Sequence, residues 1–411
     1  MAAGNDGNAG GRALPYGRQS VDEEDVAAVV AALRGDYLTT GPLVDAFERR
    51  LAGIVGAPQA VACANGTAAL HLAMLALGIG PGDVVVVPAI TFLATANAAR
   101  FVGAEVAFAD VDPDSGLMEA RHLAEALDRA RALGRPRAAA MVHLNGQSPD
   151  MGPLAATARD ASLFLVEDAC HALGTAIHTE EGEVPVGACD RSDLAVFSFH
   201  PVKTVTTAEG GAVTSRDPAL DRRLRLFRNH GMVRDPAGLT LPELALDEAG
   251  GTNPWYYEMQ ELGFNYRLND VQCALGLAQL GKLDRFAARR RALADRYDRA
   301  LAPLGPLLRP VPRSPGCRAV PHLYPVLVDF AAGTGRAALM RALAARGVGT
   351  QVHYIPVPWQ PYYRDRYGLA DLPGARRYYE RVLSLPLFAD MEEADADRVA
   401  AALAELLPAG A

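Results

Sequence analysis

The chain has 411 residues, 40 Lys and Arg against 48 Asp and Glu, a net charge of −8, and half of its residues hydrophobic. That length supports two or three domains around sizeable cores. The acidic balance argues against the basic face that nucleic acid requires, and no apolar run approaches the roughly 18 residues needed to span a bilayer.

Residues 1–13 (MAAGNDGNAGGRA) lack the charged and apolar stretches of a secretory signal and read as a disordered tail. Val26, Val29, Val30 and Leu33 recur at helical spacing behind an acidic turn, predicting an amphipathic packing helix over 22–33. Short apolar runs at 61–64, 84–87, 106–108, 138–144, 163–166 and 194–199 read as strands, with helical segments such as 121–133 between most of them. This alternation predicts an α/β fold with a mainly parallel sheet.

After the first strand, Asn65-Gly66-Thr67 turns into an Ala- and Leu-rich helix beginning at Ala68. Free N–H groups and the positive end of a helix dipole there suit an anion, although an ordinary strand–turn–helix has the same pattern. Residues 78–82 (GIGPG) are no dinucleotide fingerprint, since no helix opens behind them. Thr91-Phe92 is read as the end of the strand that starts at Val84. The run at 162–166 delivers Glu167-Asp168-Ala169-Cys170-His171 at its C-terminal end, the edge where open α/β sheets bind ligands. Asp168 alone reads equally well as a helix N-cap.

Residues 194–214 (LAVFSFHPVKTVTTAEGGAVT) form a hairpin-like pair with Lys203 in the connection. A lone lysine is usually a solvated charge. A strand-end acid followed by a strand-flanked lysine has a specific use: pyridoxal phosphate (PLP) needs an Asp to keep its pyridine nitrogen protonated and a Lys to hold its aldehyde as a Schiff base. Anion turn, acid and lysine then follow in order along the chain.

Downstream, Arg222, Arg223, Arg225 and Arg228 read as a solvated helix face, and 235–254 as a long exposed loop able to cover the site. A long helix over 271–301 is expected to lead into a smaller α+β unit, with strands at 323–328 and 349–354 and helices at 336–346 and 395–407. His353, Tyr354, Tyr362 and Tyr363 read either as substrate neighbours or as an aromatic surface. The expected division is a tail (1–13), a large domain (14–265), and a linker helix with a small domain (266–411). Five cysteines, odd in number and without a CxxC pair, predict a reducing cytoplasm and no zinc site; the nine histidines show no metal-ligand spacing. Cys170 reads as a small buried filler.

The motifs NGTAALHLA, PAITFLATANA, VEDACHALG, FSFHPVKTVTTAEGGAV, FRNHGM and LGFNYRLNDVQCALG together resemble the DegT/StrS-type sugar aminotransferases, PLP enzymes of fold type I, over about residues 14–388. LPYGRQSVDEEDV, DYLTTGPLVDAFE, PWYYEMQELGFNYRL and GTQVHYIPVPWQPYYR resemble the branch that aminates C4 of UDP-4-keto-6-deoxy-N-acetyl-hexosamines in the pseudaminic acid pathway. The resemblance implies a PLP enzyme that moves an amino group from L-glutamate to a nucleotide-linked keto-sugar, with Lys203, Asp168 and His171 catalytic. It implies that Gly66, Thr67, Ala68 and Ser198 hold the phosphate, that Phe92 lies on the ring, and that His171 sits near the phenolic oxygen. It also implies a homodimer in which Asn265 reaches the neighbouring subunit's phosphate.

Family dehydratases carry histidine in place of the lysine, so Lys203 favours transamination, and burial should lower its pKa. Ala208 stands where many relatives have Gly, which requires a negative φ. The alternatives are another nucleotide keto-sugar or a cyclitol as substrate, a PLP lyase or racemase, and a non-catalytic binding protein.

Overall fold

In the computed structural model, which describes residues 12–408, the alternating runs become a seven-stranded sheet with helices packed against it. Its strands are β1 (Gln59–Cys63), β2 (Asp83–Pro88), β3 (Glu105–Ala109), β4 (Arg135–Val142), β5 (Phe164–Asp168), β8 (Leu194–Ser198) and β9 (Gly211–Ser215), in the order β1-β9-β8-β5-β4-β2-β3. Only β9 runs against its neighbours. β2 (DVVVVP) is buried throughout, the continuous apolar run expected of a covered parallel strand. A side hairpin of β6 (Ala176–Thr179) and β7 (Gly182–Pro185) leaves the sheet between β5 and β8.

The first helices are α1 (Glu23–Leu33), α2 (Pro42–Val55), α3 (Gly66–Ala76), α4 (Leu93–Phe101), α5 (Ala120–Leu133), α6 (Met151–Asp160) and α7 (Pro218–Arg228). The segment after α7 carries β10 (Met232–Val233), α8 (Pro242–Ala245) and β11 (Glu258–Met259). It is mostly exposed but ordered around one carboxylate: Glu258 accepts from the amides of Thr240 and Leu241, each at 2.8 Å. α9 (Asp270–Leu280) and α10 (Leu283–Leu301) follow. Then come β12 (Leu308–Pro310), β13 (Cys317–Arg318), β14 (Tyr324–Val328), α11 (Arg336–Ala345), α12 (Pro361–Tyr367), α13 (Pro373–Arg381), β15 (Val382–Leu385) and α14 (Glu393–Leu406).

β12, β14 and β15 form a small antiparallel sheet. Two apolar cores result. One surrounds the large sheet; the other joins this small sheet to α11, α14 and the C-terminal half of α10, from Leu293 to Leu301. Leu283 and Phe286 belong to the first core, so α10 runs between both.

Several expectations change. The helix expected over 271–301 is two helices, broken at Gly281-Lys282, where Lys282 turns toward Asp22 and Asp25. Residues 349–354 form no strand; one bridge, Gln351 to Ser384, holds them, and the irregular path carries His353 and Tyr354 into a cavity. α1 does not bury its apolar stripe: Val26 and Leu33 are exposed, and Asp25 and Ala32 face inward. Arg225 and Arg228 are not simply solvated, because both pair with the buried Glu48, at 2.7 and 2.5 Å.

Residues 1–11 of the expected tail lie outside the described residues. Arg12 donates to Asp390 O, and Leu14 is buried in the second core, bridged to Val348. Among the described residues, no helix is long and apolar enough to cross a membrane.

Candidate active site

β1, β5 and β8 run in one direction, so the residues that follow Cys63, Asp168 and Ser198 meet at one edge of the sheet. There, side chains from all three strand ends line a cavity of about 660 Å³. Lys203 lies in the connection between β8 and β9, closed by Phe199 N donating to Gly210 O at 2.8 Å and Thr207 N to Phe199 O at 3.0 Å. Its ammonium has no hydrogen-bond partner among the described residues and is partly buried. Burial pushes the Lys203 pKa below its usual 10.5, against the opposing pull of Cys170 and Asp168. Ala208, in the same loop, has φ +66°, not the negative value expected; its N–H donates to Thr206 Oγ1 at 2.9 Å, which holds it there.

Asp168 ends β5, buried, with each carboxylate oxygen fixed. Oδ1 accepts from Cys170 N at 3.2 Å and Oδ2 from Thr95 Oγ1 at 2.7 Å. The first of these is the local turn that a capping Asp would make, but no helix follows. Thr95 has one proton and gives it to Asp168, so the Thr91 hydroxyl, 2.8 Å away, must donate to Thr95.

His171 is buried three residues on. Its Nε2 lies 3.2 Å from the Tyr354 hydroxyl, and its Nδ1 has no partner among the described residues. Its ring is 4.4 Å from that of His322, also buried with Nδ1 unpaired. Burial, then the charge of Lys203, holds the His171 pKa well below 6.5, so the imidazole is neutral. Burial pushes the Cys170 thiol well above 9, the behaviour of an inert filler.

At the turn into α3, Asn65 caps the helix, its Oδ1 accepting from Ala68 N at 2.8 Å. The expected three-amide cradle is therefore narrower: Ala68 is committed to the cap and does not line the cavity, while the amides of Gly66 and Thr67 have no partner among the described residues and both residues line the cavity. Gly66 suits the close approach here, since a Cβ would stand 3.0 Å from Ser198 Cβ. Ser198 lines the same corner, its Oγ accepting weakly from His200 N at 3.4 Å. Phe92 is not a strand end: β2 stops at Pro88, and Phe92 is the N-cap residue of α4, 56% exposed at the rim, its ring 6.1 Å from that of Tyr354.

Asn265 is exposed and outside this cavity. His353 and Tyr354 line it, Tyr363 is core, and Tyr362 is surface. Thr95, Tyr16, Gln351 and His322 were missed in the sequence. Thr95 was detectable in principle, one helical turn after Thr91 in a strand-to-helix turn; His322 sits in an irregular segment with no local pattern.

These residues fit PLP. An anion turn, a buried fixed acid and an unpaired lysine face one space, and the missing Cβ at Gly66 leaves room for a phosphate. Sheet and cavity together define a fold type I PLP-dependent aminotransferase. The profile of the DegT/DnrJ/EryC1/StrS aminotransferase family matches residues 19–404, and the chain belongs to that family.

It is 37% identical over 398 residues to the spore coat polysaccharide biosynthesis protein SpsC of Bacillus subtilis (strain 168), spanning 96% of this chain and 97% of that one. Among solved structures it is similar to Helicobacter pylori PseC, an aminotransferase involved in the biosynthesis of pseudoaminic acid (TM-score 0.84, 28% identity, 96% and 99% of the two chains). It is also similar to the PLP form of Spr1654 from Streptococcus pneumoniae (TM-score 0.83, 27% identity, 96% and 100% of the two chains).

Proposed function

We propose that this aminotransferase transfers the amino group of L-glutamate to a nucleotide-linked 4-keto-6-deoxy sugar of the UDP-N-acetyl-hexosamine type. The observation that carries the reading is the convergence, in one 660 Å³ cavity, of an unpaired lysine, a clamped acid and two free amides, rimmed by Tyr16, Gln351 and Gln360. Those rim groups suit the hydroxyl and acetamido substituents of a sugar. The similarity to PseC and SpsC supports the same class of acceptor.

When bound, PLP withdraws electrons from the donor's α-carbon. Lys203 Nζ, its pKa lowered by burial, takes the proton from that carbon and, in the second half-reaction, delivers one to the sugar carbon that receives nitrogen. Asp168 holds the proton on the ring nitrogen, kept in place by Thr95 and Cys170 N. Gly66, Thr67 and Ser198 would hold the phosphate, and Phe92 and the neutral His171 would help to hold the ring.

Lys203 is the only lysine or arginine among the cavity's lining residues, too few cations for a dicarboxylate donor and a phosphate together. That shortage, with Asn265 exposed away from its own cavity, supports a homodimer in which each chain completes its partner's site. Residues 15–265 form most of the cofactor-binding unit in this reading, joined in its core by α9, α12 and α13, and the second core marks the smaller unit.

The test is a coupled assay with L-glutamate against UDP-4-keto-6-deoxy-N-acetyl sugars of both C5 configurations, with Lys203→Ala as control. Amino-sugar formation lost in the variant supports the proposal. Turnover only with other nucleotide keto-sugars, or with a cyclitol, overturns the acceptor assignment while leaving the class intact.

A further inference from the structure

Gln272, Gly276 and Gln279 stand at positions i, i+4 and i+7 of α9 and so share one face. That face lies against the loop that carries Lys203. Gln272 Nε2 donates to Glu209 O at 2.7 Å, and Gln279 Oε1 accepts from Thr206 N at 3.3 Å. Between them Gly276 lets the two backbones close: a Cβ there would stand 2.7 Å from Thr207 Cγ2 and 2.5 Å from the Phe47 ring.

Every other hydrogen bond of residues 199–210 stays within the hairpin. Beyond the two flanking strands, the glutamines therefore make, among the described residues, the only hydrogen bonds from this loop to the rest of the protein. Gln279 is itself immobilised. It is 1% exposed, and its Nε2 donates at 2.8 Å to both Ser20 O and the fully buried Asp25 Oδ2, which meets Lys282 Nζ at 2.9 Å.

We propose that the Gln272–Gly276–Gln279 face of α9 is the positioning surface for Lys203. A lysine hangs on a flexible four-carbon stem, so the reach of its amine is set by where its backbone is fixed. Loosening that backbone by about 1 Å costs up to about a hundredfold in proton transfer. Positioning acts at a distance: neither glutamine lines the cavity. The inference rests on Lys203 being the proton-transferring group.

The test compares Gln272→Leu and Gln279→Leu with wild type and Lys203→Ala. Gln272→Leu leaves the Asp25 and Ser20 contacts intact, so it remains informative where Gln279→Leu folds poorly. Hydrogen exchange on the cofactor-free protein should speed up by about tenfold at residues 199–210 and stay unchanged in β2, β4 and β5. In the holoenzyme, kcat should fall by about tenfold with KM within twofold, and the pH midpoint of the cofactor's visible absorbance should move.

Wild-type exchange in the loop and an unmoved midpoint in both variants, with Lys203→Ala inactive, would overturn the proposal alone. A uniform rise in exchange across the sheet, which marks a merely structural role, overturns it too. Full turnover by Lys203→Ala overturns both it and the assignment of Lys203.

Discussion

Thr95→Val isolates the contribution of one buried hydroxyl. The side chain keeps its branched shape, but Asp168 Oδ2 loses the donor 2.7 Å away and the Thr91 hydroxyl loses its acceptor. Both threonines are almost wholly buried, so water does not replace the bond. A hydrogen bond to a charged group contributes about 1.5–3 kcal/mol. Transmitted through a loosened Asp168 to the ring nitrogen, that is about a 10- to 100-fold weaker hold on PLP. Titrating cofactor-free protein with PLP measures it directly. The dissociation constant should rise by at least about tenfold in Thr95→Val and return toward wild type in Thr95→Ser. A constant within twofold of wild type, with an unchanged thermal midpoint, would refute the claim that Thr95 clamps the acid.

Three more predictions concern the rest of the molecule. Because the folded pKa of Lys203 lies below its unfolded 10.5, the unfolded chain binds more protons between the two values, so the penalty of this lysine grows as pH falls through that window and is full below it. Lys203→Met should therefore abolish turnover yet raise the melting temperature of cofactor-free protein at pH 7, with the gain vanishing above pH 10.5; equal melting temperatures at pH 7 would contradict the burial. Glu48→Gln strands Arg228 beside a buried amide and should cost about 3 kcal/mol, the low end for a broken buried pair because Arg225 is more exposed and keeps Asp221; an unmoved denaturation midpoint counts against it. At Ala208, with φ +66°, Gly should be tolerated or slightly stabilising and Val should destabilise by about 1–2 kcal/mol, and calorimetry of the two variants gives the ranking.

What the sequence disclosed follows from how local each signal is. The sheet was legible because buried parallel strands are written as continuous apolar runs, and all six expected strands of the sheet occur within a few residues of their predicted bounds. Lys203 and Asp168 were findable because strand ends mark the ligand edge of such a sheet. The failures are tertiary. Apolar periodicity runs through 271–301 on both sides of Gly281, and the contacts of Lys282 with Asp22 and Asp25 at the break are invisible in sequence. The apolar stripe of α1 is real in sequence, but a buried Asp25 bound to Lys282 and Gln279 rotates it outward. Two of the four arginines near 225 could not be distinguished from solvated ones without knowing that Glu48, some 180 positions earlier, lies beneath them.

The single reversed strand, β9, also decides how force reaches the lysine. In a parallel sheet a segment leaving a strand normally travels on into a helix, and any movement of that helix drags the segment with it. Here the chain comes straight back, so both ends of the loop are welded to the same rim of the sheet, Ser198 opposite Gly211. Motion of the surrounding helices reaches such a loop through the sheet, and directly only from α9, which bonds it at Thr206 and Glu209. Insertions and deletions within 199–210 would consequently be felt in full at the amine, with no slack elsewhere to absorb them.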